Sequence, residues 1–230
     1  MKNILKTCMA LVLLIGFSSL TAQTTRNLSY FNKLSASSSV KVKLIKSNEH
    51  KVEFKMTSGD EDRLITEVKN DRLIVKIKSK SFGWNGNAKA AVKVYYTELN
   101  EVDVSAGASV KGEEVINATN MEVSVSSGAR ADLEVESEKI YAEVSSGGRI
   151  ELEGSAKNGK YEASSGGFID AVSMVCDNVD AEASSGGQMK VHANKKLNAE
   201  ASSGGSIKYR GEADYTNTDS GWSGKIKRIN

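Results

Sequence analysis

The chain has 230 residues, with 31 Lys and Arg against 29 Asp and Glu, two histidines, two cysteines, 20 glycines and no proline. This near-balanced charge argues against a nucleic-acid partner, which would call for a clustered basic face. The absence of proline leaves the turns to Gly, Asn, Asp and Ser, and no long stretch has helical apolar spacing, so the composition points to an all-β chain.

The first segment starts basic at Met1-Lys-Asn-Ile-Leu-Lys-Thr, runs apolar from Cys8 to Phe17 and ends in small residues up to Ala22. That pattern predicts a secretory signal peptide over residues 1–22, with an apolar run too short to span a bilayer. Its removal takes Lys2 and Lys6 and no acid, leaving 29 basic residues against 29 acidic. No later apolar run is long enough for a transmembrane span. Only Cys176 then remains, which rules out an intrachain disulfide even in an oxidising compartment. A small buried apolar role is expected for it, with a reactive thiol as the alternative.

Residues 23–29 read as a flexible leader, and an N-terminal strand region is expected over residues 30–98. Val40-Lys-Val-Lys-Leu44 and Lys51-Val-Glu-Phe-Lys-Met56 alternate apolar and polar residues, as half-buried strands do. Leu64–Val68 and Leu73–Ile77 flank Asn70-Asp71, which is hairpin-turn chemistry. Residues 78–88 form a polar, glycine-containing loop with Phe82 and Trp84, and Ala91–Tyr96 resumes the alternation.

From residue 99 to 210 the chain repeats itself. A five-residue phrase recurs six times, as Val104–Ala108, Val125–Ala129, Val144–Gly148, Ala163–Gly167, Ala183–Gly187 and Ala201–Gly205, most cleanly as Ala-Ser-Ser-Gly-Gly. Its first glycines fall at 107, 128, 147, 166, 186 and 204, in steps of 21, 19, 19, 20 and 18 residues. A period near twenty held over a hundred residues means stacked repeats, because so short a unit cannot bury its apolar face alone. Apolar residues alternate on both sides of each phrase, as in Ile140/Ala142/Val144 before it and Ile150/Leu152 after it. Each unit is therefore strand, glycine corner, strand and a variable return, and parallel in-register stacking of such coils is a β-helix, or β-solenoid. With strands ~4.8 Å apart, five steps give a rod segment ~24 Å long. Inward alanines before the later corners imply a narrow interior there. Residues 211–230 read as a C-terminal cap, with a seventh corner at either Asp219-Ser-Gly-Trp222 or Trp222-Ser-Gly-Lys-Ile226, the second keeping the nineteen-residue step.

Three features together carry a family resemblance: Tyr30-Phe-Asn-Lys-Leu34 followed by Val40–Leu44, the serial Ser-Ser-Gly-Gly corners, and the closing Ser220-Gly-Trp-Ser-Gly224. With the signal peptide, they resemble the head GIN domain family, the bacterial group of auto-transporter adhesin heads, over roughly residues 28–228. The resemblance implies a right-handed single-stranded β-helix exported to the periplasm or cell surface. It brings no catalytic residues and no cofactor.

Several constellations bear on function. The outward residue before each corner is Asp103, Ser124, Glu143, Glu162, Glu182 and Glu200, so four glutamates would stand side by side at the rung spacing. They form either a stripe for a cation or cationic partner or a solvated face relieved by lysines such as Lys139 and Lys160. No metal site is assigned. Trp84, Phe168 and Trp222 are the candidate aromatic contacts for a sugar ring or protein partner, against covering roles in the loop and at the coil end. No Gly-x-Ser-x-Gly elbow accompanies the serines, and His192 is expected as a solvated surface residue. The expected function is a non-enzymatic envelope binding or adhesion-type module for glycan or protein. The alternatives are a polysaccharide-active enzyme, which needs two carboxylates in a cleft, and a purely structural envelope protein. Unpaired strand edges at the ends of the stack would permit self-association.

Overall fold

The computed structural model describes residues 24–78 and 88–230. The expected signal peptide and Trp84 lie outside the described residues. The N-terminal strands are β1 (Thr24–Asn27), β2 (Lys33–Ser37), β3 (Val40–Lys46), β4 (Lys51–Ser58), β5 (Leu64–Lys69), β6 (Arg72–Ile77) and β7 (Lys89–Tyr96). The repeat region supplies β8 (Glu101–Ser105), β9 (Ser109–Gly112), β10 (Ile116–Val125), β11 (Arg130–Val144), β12 (Arg149–Ala163), β13 (Phe168–Ala183) and β14 (Gln188–Ala201). The last three are β15 (Ser206–Arg210), β16 (Tyr215–Ser220) and β17 (Lys225–Arg228).

From β8 onward, the chain is a single-stranded parallel β-solenoid. Each long strand leaves one corner, bends, and enters the next corner, pairing in parallel with the coil before and the coil after it. The period near twenty is thus the length of one coil. Apolar residues alternate inward along β8 to β15, and the core runs along these coils as one cluster. Each fully buried Val, Leu or Ile contributes roughly 1.5–3 kcal/mol relative to exposure. Inward residues before the corners shrink from Val104, Val125 and Val144 to Ala163, Ala183 and Ala201, while Ile169, Met189 and Ile207 on the strands after the corners are buried.

At each regular corner two successive residues take the left-handed conformation. In the third and fourth these are Ser146 (φ 50°) with Gly147 (φ 69°) and Ser165 (φ 49°) with Gly166 (φ 71°). Two such residues in sequence turn the chain tightly. The corners also bond to one another, the Gly128 amide donating to Ser146 O at 3.1 Å and the Gly147 amide to Ser165 O at 3.2 Å. The two glycines of a corner do different work. A Cβ on Gly166 would meet nothing within 4 Å, so its torsion alone is what favours glycine there. The second glycine of the next corner, Gly187, lacks a positive φ, but a Cβ on it would lie 2.2 Å from Ala163 O of the preceding coil. Close approach of backbones is what requires glycine at that position.

The N-terminal region adds coils out of sequence order. β2 and β3 meet at a corner made by Ser38 (φ 64°) and Ser39 (φ 60°), without glycine. This coil sits between β6/β7 and β8/β9, because β2 pairs with both β6 and β8, and β3 with both β7 and β9. The predicted 69–72 hairpin joins β5 to β6, with Asn70 and Asp71 at positive φ. Antiparallel neighbours close this end, β1 on β4 and β4 on β7. The expected flexible leader is corrected: Thr24–Asn27 is strand β1, held by four register partners from Phe54 to Lys51.

The expected C-terminal cap is a further coil. β16 stacks in parallel on β14, and β17 on β15. Its corner follows the nineteen-residue alternative, with Ser223 (φ 61°) in the place of Gly204 and Ile226 opposite Ile207. The inward slots of Leu197, Ala199 and Ala201 are followed by Thr216, Thr218 and Ser220. This last coil therefore covers the apolar column with hydroxyls, as terminal repeats must to stay soluble.

Candidate functional site

The sheet before the corners presents its outward residues as rows. In the row nearest the corner, Ser124 stands opposite Asp103 and Glu143, Glu143 opposite Glu162, Glu162 opposite Glu182, Glu182 opposite Glu200, and Glu200 opposite Asp219. The four predicted glutamates are thus brought into one column, which Asp219 extends. The next row carries Glu122, Tyr141, Lys160, Asp180 and Asn198, and the one beyond it Asn120, Lys139, Asn158, Asn178 and Lys196.

The column is not uniform. Lys160 Nζ lies 2.7 Å from Glu162 Oε1, and the Tyr141 hydroxyl is 3.0 Å from Glu162 and 3.2 Å from Glu143. The Lys160 hydrogen bond holds the Glu162 carboxyl below its ordinary range and raises the ammonium in turn. Burial and the hydrogen bond with Glu162 push the Tyr141 phenol up. Glu182, Glu200 and Asp219 have no salt bridge among the described residues, and they line a shallow recess of about 190 Å³ with Ser184 and Ser202. Among the described residues, no three of His, Cys, Asp and Glu converge in a way that could hold a metal ion.

Beside the column, the first coils form a groove of about 1010 Å³. Asn120, Lys139, Asn158, Asn178, Tyr141 and Glu122 line it, with the loop carrying Glu98 and Asn100 at its end. Asn178 Nδ2 donates to Asn158 Oδ1 at 2.9 Å, so the carboxamides form part of a ladder along the rod. Lys139 is exposed and has no ion pair among the described residues. The groove offers amide, ammonium and carboxylate groups on successive rungs, able both to donate to and to accept from a polar ligand. Sequence reasoning singled out the glutamates and missed the Asn/Lys row. Its signal was present, since Asn120, Lys139, Asn158 and Asn178 all lie five residues before the first residue of a corner phrase.

Phe168 and Trp222 do not join this face. Phe168 lies on the sheet after the corners, between Arg149 and Gln188. The Arg149 guanidinium lies 4.6 Å from its ring centroid and the Lys190 ammonium 5.7 Å away, so two cations flank the half-buried ring. Trp222 is 89% exposed at the last corner, at the open end of the stack. His192 is half-buried and accepts from Arg210 Nε at 3.2 Å, where a solvated residue was expected. Cys176 is buried, its sulfur 3.2 Å from the Tyr161 hydroxyl, and burial raises its thiol.

These features define a class, a parallel β-solenoid whose accessible chemistry stands in rows along its flank. The family model described as "putative auto-transporter adhesin, head GIN domain" matches residues 30–213, and the chain belongs to that family. Among solved structures it is similar to a putative adhesin of Bacteroides fragilis, with a TM-score of 0.80 and 20% identity, covering 90% of this chain and 96% of that one. It is also similar to a putative adhesin of Parabacteroides distasonis, with a TM-score of 0.71 and 19% identity over 90% and 96% of the two chains. A putative lipid binding protein of the same species gives a TM-score of 0.64 at 18% identity over 91% and 96%. At these identities the likeness shows the fold. Among curated proteins, none matches the chain.

Proposed function

We propose that the protein is an exported, non-enzymatic adhesion-type module of the cell envelope, holding a glycan or a surface protein against the face before the corners. The observation that carries this reading is the groove of about 1010 Å³ set beside the column of outward carboxylates from Glu143 to Glu200. A rigid flank with repeating polar groups suits an extended partner, which can engage several rungs at once. The family description and the names of the structural relatives support an adhesion role. Export rests on the leader pattern of residues 1–22. No helix among the described residues is long and apolar enough to cross a membrane. Glu143, Glu162, Glu182 and Glu200 form the border of the proposed contact face, and Trp222 and Phe168 lie away from it.

A glycan array and a panel of envelope proteins, each probed with the mature protein and with a Lys139→Glu/Asn158→Ala variant, test the reading. Specific capture that the variant loses is the expected result. Turnover of an acidic polysaccharide, abolished by replacing one carboxylate pair, would replace the binding module with a polysaccharide-active enzyme.

A further inference from the structure

At the C-terminal end of the stack, each face finishes in a run of one charge. Before the corner, Glu182, Glu200 and Asp219 stand on successive coils. After it, Lys190, Lys208 and Lys227 do the same, with Lys225 beside Lys227 on the last strand. Both terminal strands have a neighbour on one side only, β16 on β14 and β17 on β15. The amides of Gly221, Lys225 and Ile229 donate back to Ala201, Gly205 and Tyr209 of the preceding coil. By the alternation of a strand ladder, the peptide groups of Thr216, Thr218, Ile226 and Arg228 point away from the stack. Between the two strands stands Trp222, 89% exposed, where the earlier corners carry Ala106, Ser127, Ser146, Ser165, Ser185 and Ser203.

The geometry points to a second copy of this chain as the occupant of this end, docked end to end about a two-fold axis through the last corner. β16 runs toward the corner and β17 away from it, so a rotation that exchanges them sets β16 of one copy antiparallel to β17 of the other. Centring the axis on Trp222 makes the parities agree. Asp219 falls opposite Lys225 of the second copy and Asn217 opposite Lys227, all outward. Thr218 falls opposite Ile226 and Thr216 opposite Arg228, each pair facing with its free peptide groups. The interface is self-complementary, as a two-fold contact must be: acid meets base twice, and the two tryptophans meet on the axis.

A solvated cap guarded by lysines is the competing account, since charge on an edge strand blocks pairing. It explains Lys225 and Lys227. It explains neither the exposed tryptophan nor the placing of the opposite charge on the other strand. The lysines disfavour β17 against a second β17, while the acid on β16 leaves the exchanged pairing open. An end face one coil wide is smaller than a standard interface of ~1,600 Å², so the dimer is a weak, reversible one.

Sedimentation equilibrium of the mature protein up to high concentration tests this. A monomer–dimer equilibrium that weakens with added salt is expected. Lys225→Glu and Asp219→Lys should each weaken it about tenfold, with like charges now opposed. The double variant should recover the lost affinity, because residue 219 of one copy faces residue 225 of the other. Trp222→Ala should weaken association without restoration by either charge change. Unchanged circular dichroism and melting in the variants show that folding is not the cause. A protein that stays monomeric at its solubility limit would overturn the proposal, as would a double variant no better than the singles. Binding to anionic vesicles without any self-association would also overturn it, assigning the end to a lipid surface.

Discussion

The Tyr161 ring occupies the space that the missing side chain of Gly159 leaves. Neighbouring coils carry Ile140 and Val179 in the slot of Gly159, and Ala142 and Ala181 in the slot of Tyr161. The coil has exchanged large for small and small for large while keeping its interior filled. A Cβ on Gly159 would lie 2.7 Å from Tyr161 Cε2 and 2.9 Å from Cys176 Sγ. Tyr161→Ala would leave a cavity and is expected to cost about 3–5 kcal/mol, and Gly159→Val to destabilise by overpacking. Combining the two should cost less than their sum, because valine refills part of the void. Urea unfolding of the three variants measures this.

The two glycine positions of a corner should tolerate a side chain to different degrees. Gly166→Asn keeps a residue that tolerates the left-handed region and meets open space, so a loss below about 1 kcal/mol is expected. Gly187→Ala sets a methyl 2.2 Å from Ala163 O and must push two coils apart. The fall in melting temperature should be several times larger for Gly187→Ala.

Within the glutamate column, position decides the sign of neutralisation. Glu200 stands between Glu182 and Asp219. Two unit charges ~4.8 Å apart repel by about 0.9 kcal/mol in water, and splaying and salt reduce this. Glu200→Gln is expected to stabilise by a few tenths of a kcal/mol, more at low ionic strength. Glu162→Gln loses its ion pair with Lys160 and should destabilise. Because the folded carboxyl of Glu162 is held below its ordinary value of 4.5, its contribution is present above that pH and is lost as the pH falls through the lowered value. Thermal melts from neutral to acid pH, in both variants, separate the two cases.

Alkali should loosen the core. Burial raises the Cys176 thiol above 9.0 and the Tyr161 phenol well above 10.0, and brings Tyr96 to about 12. Folded values above unfolded ones give stability that is complete below the unfolded values and is lost as the pH climbs toward the folded ones. The urea midpoint should therefore hold to about pH 9 and fall beyond it. Tyr161→Phe should lessen the fall. The same burial predicts that a thiol reagent labels Cys176 only after unfolding.

The local pattern made the solenoid legible, since parallel in-register stacking carries one residue onto its equivalent a period later. Hence the corners, the inward alternation and the glutamate column could all be read before any coordinates. The Ser38-Ser39 corner escaped because it has no glycine, and its strands stack on coils far away in sequence. The strand at Thr24–Asn27 escaped because its partner among the described residues, β4, begins more than twenty residues later.

What the sequence determined by itself is everything that repeats: strand, corner, period and the rows that follow from them. Only the tertiary structure decided which coil lies beside which and what each outward residue then meets. That is why Phe168 lies against two cations, why Glu162 is paired with Lys160 while Glu200 stands between two other acids, and why the groove forms beside the first coils. Alternation depends on neighbours two residues apart, whereas pairing across coils depends on how the whole chain closes, and no local pattern encodes that.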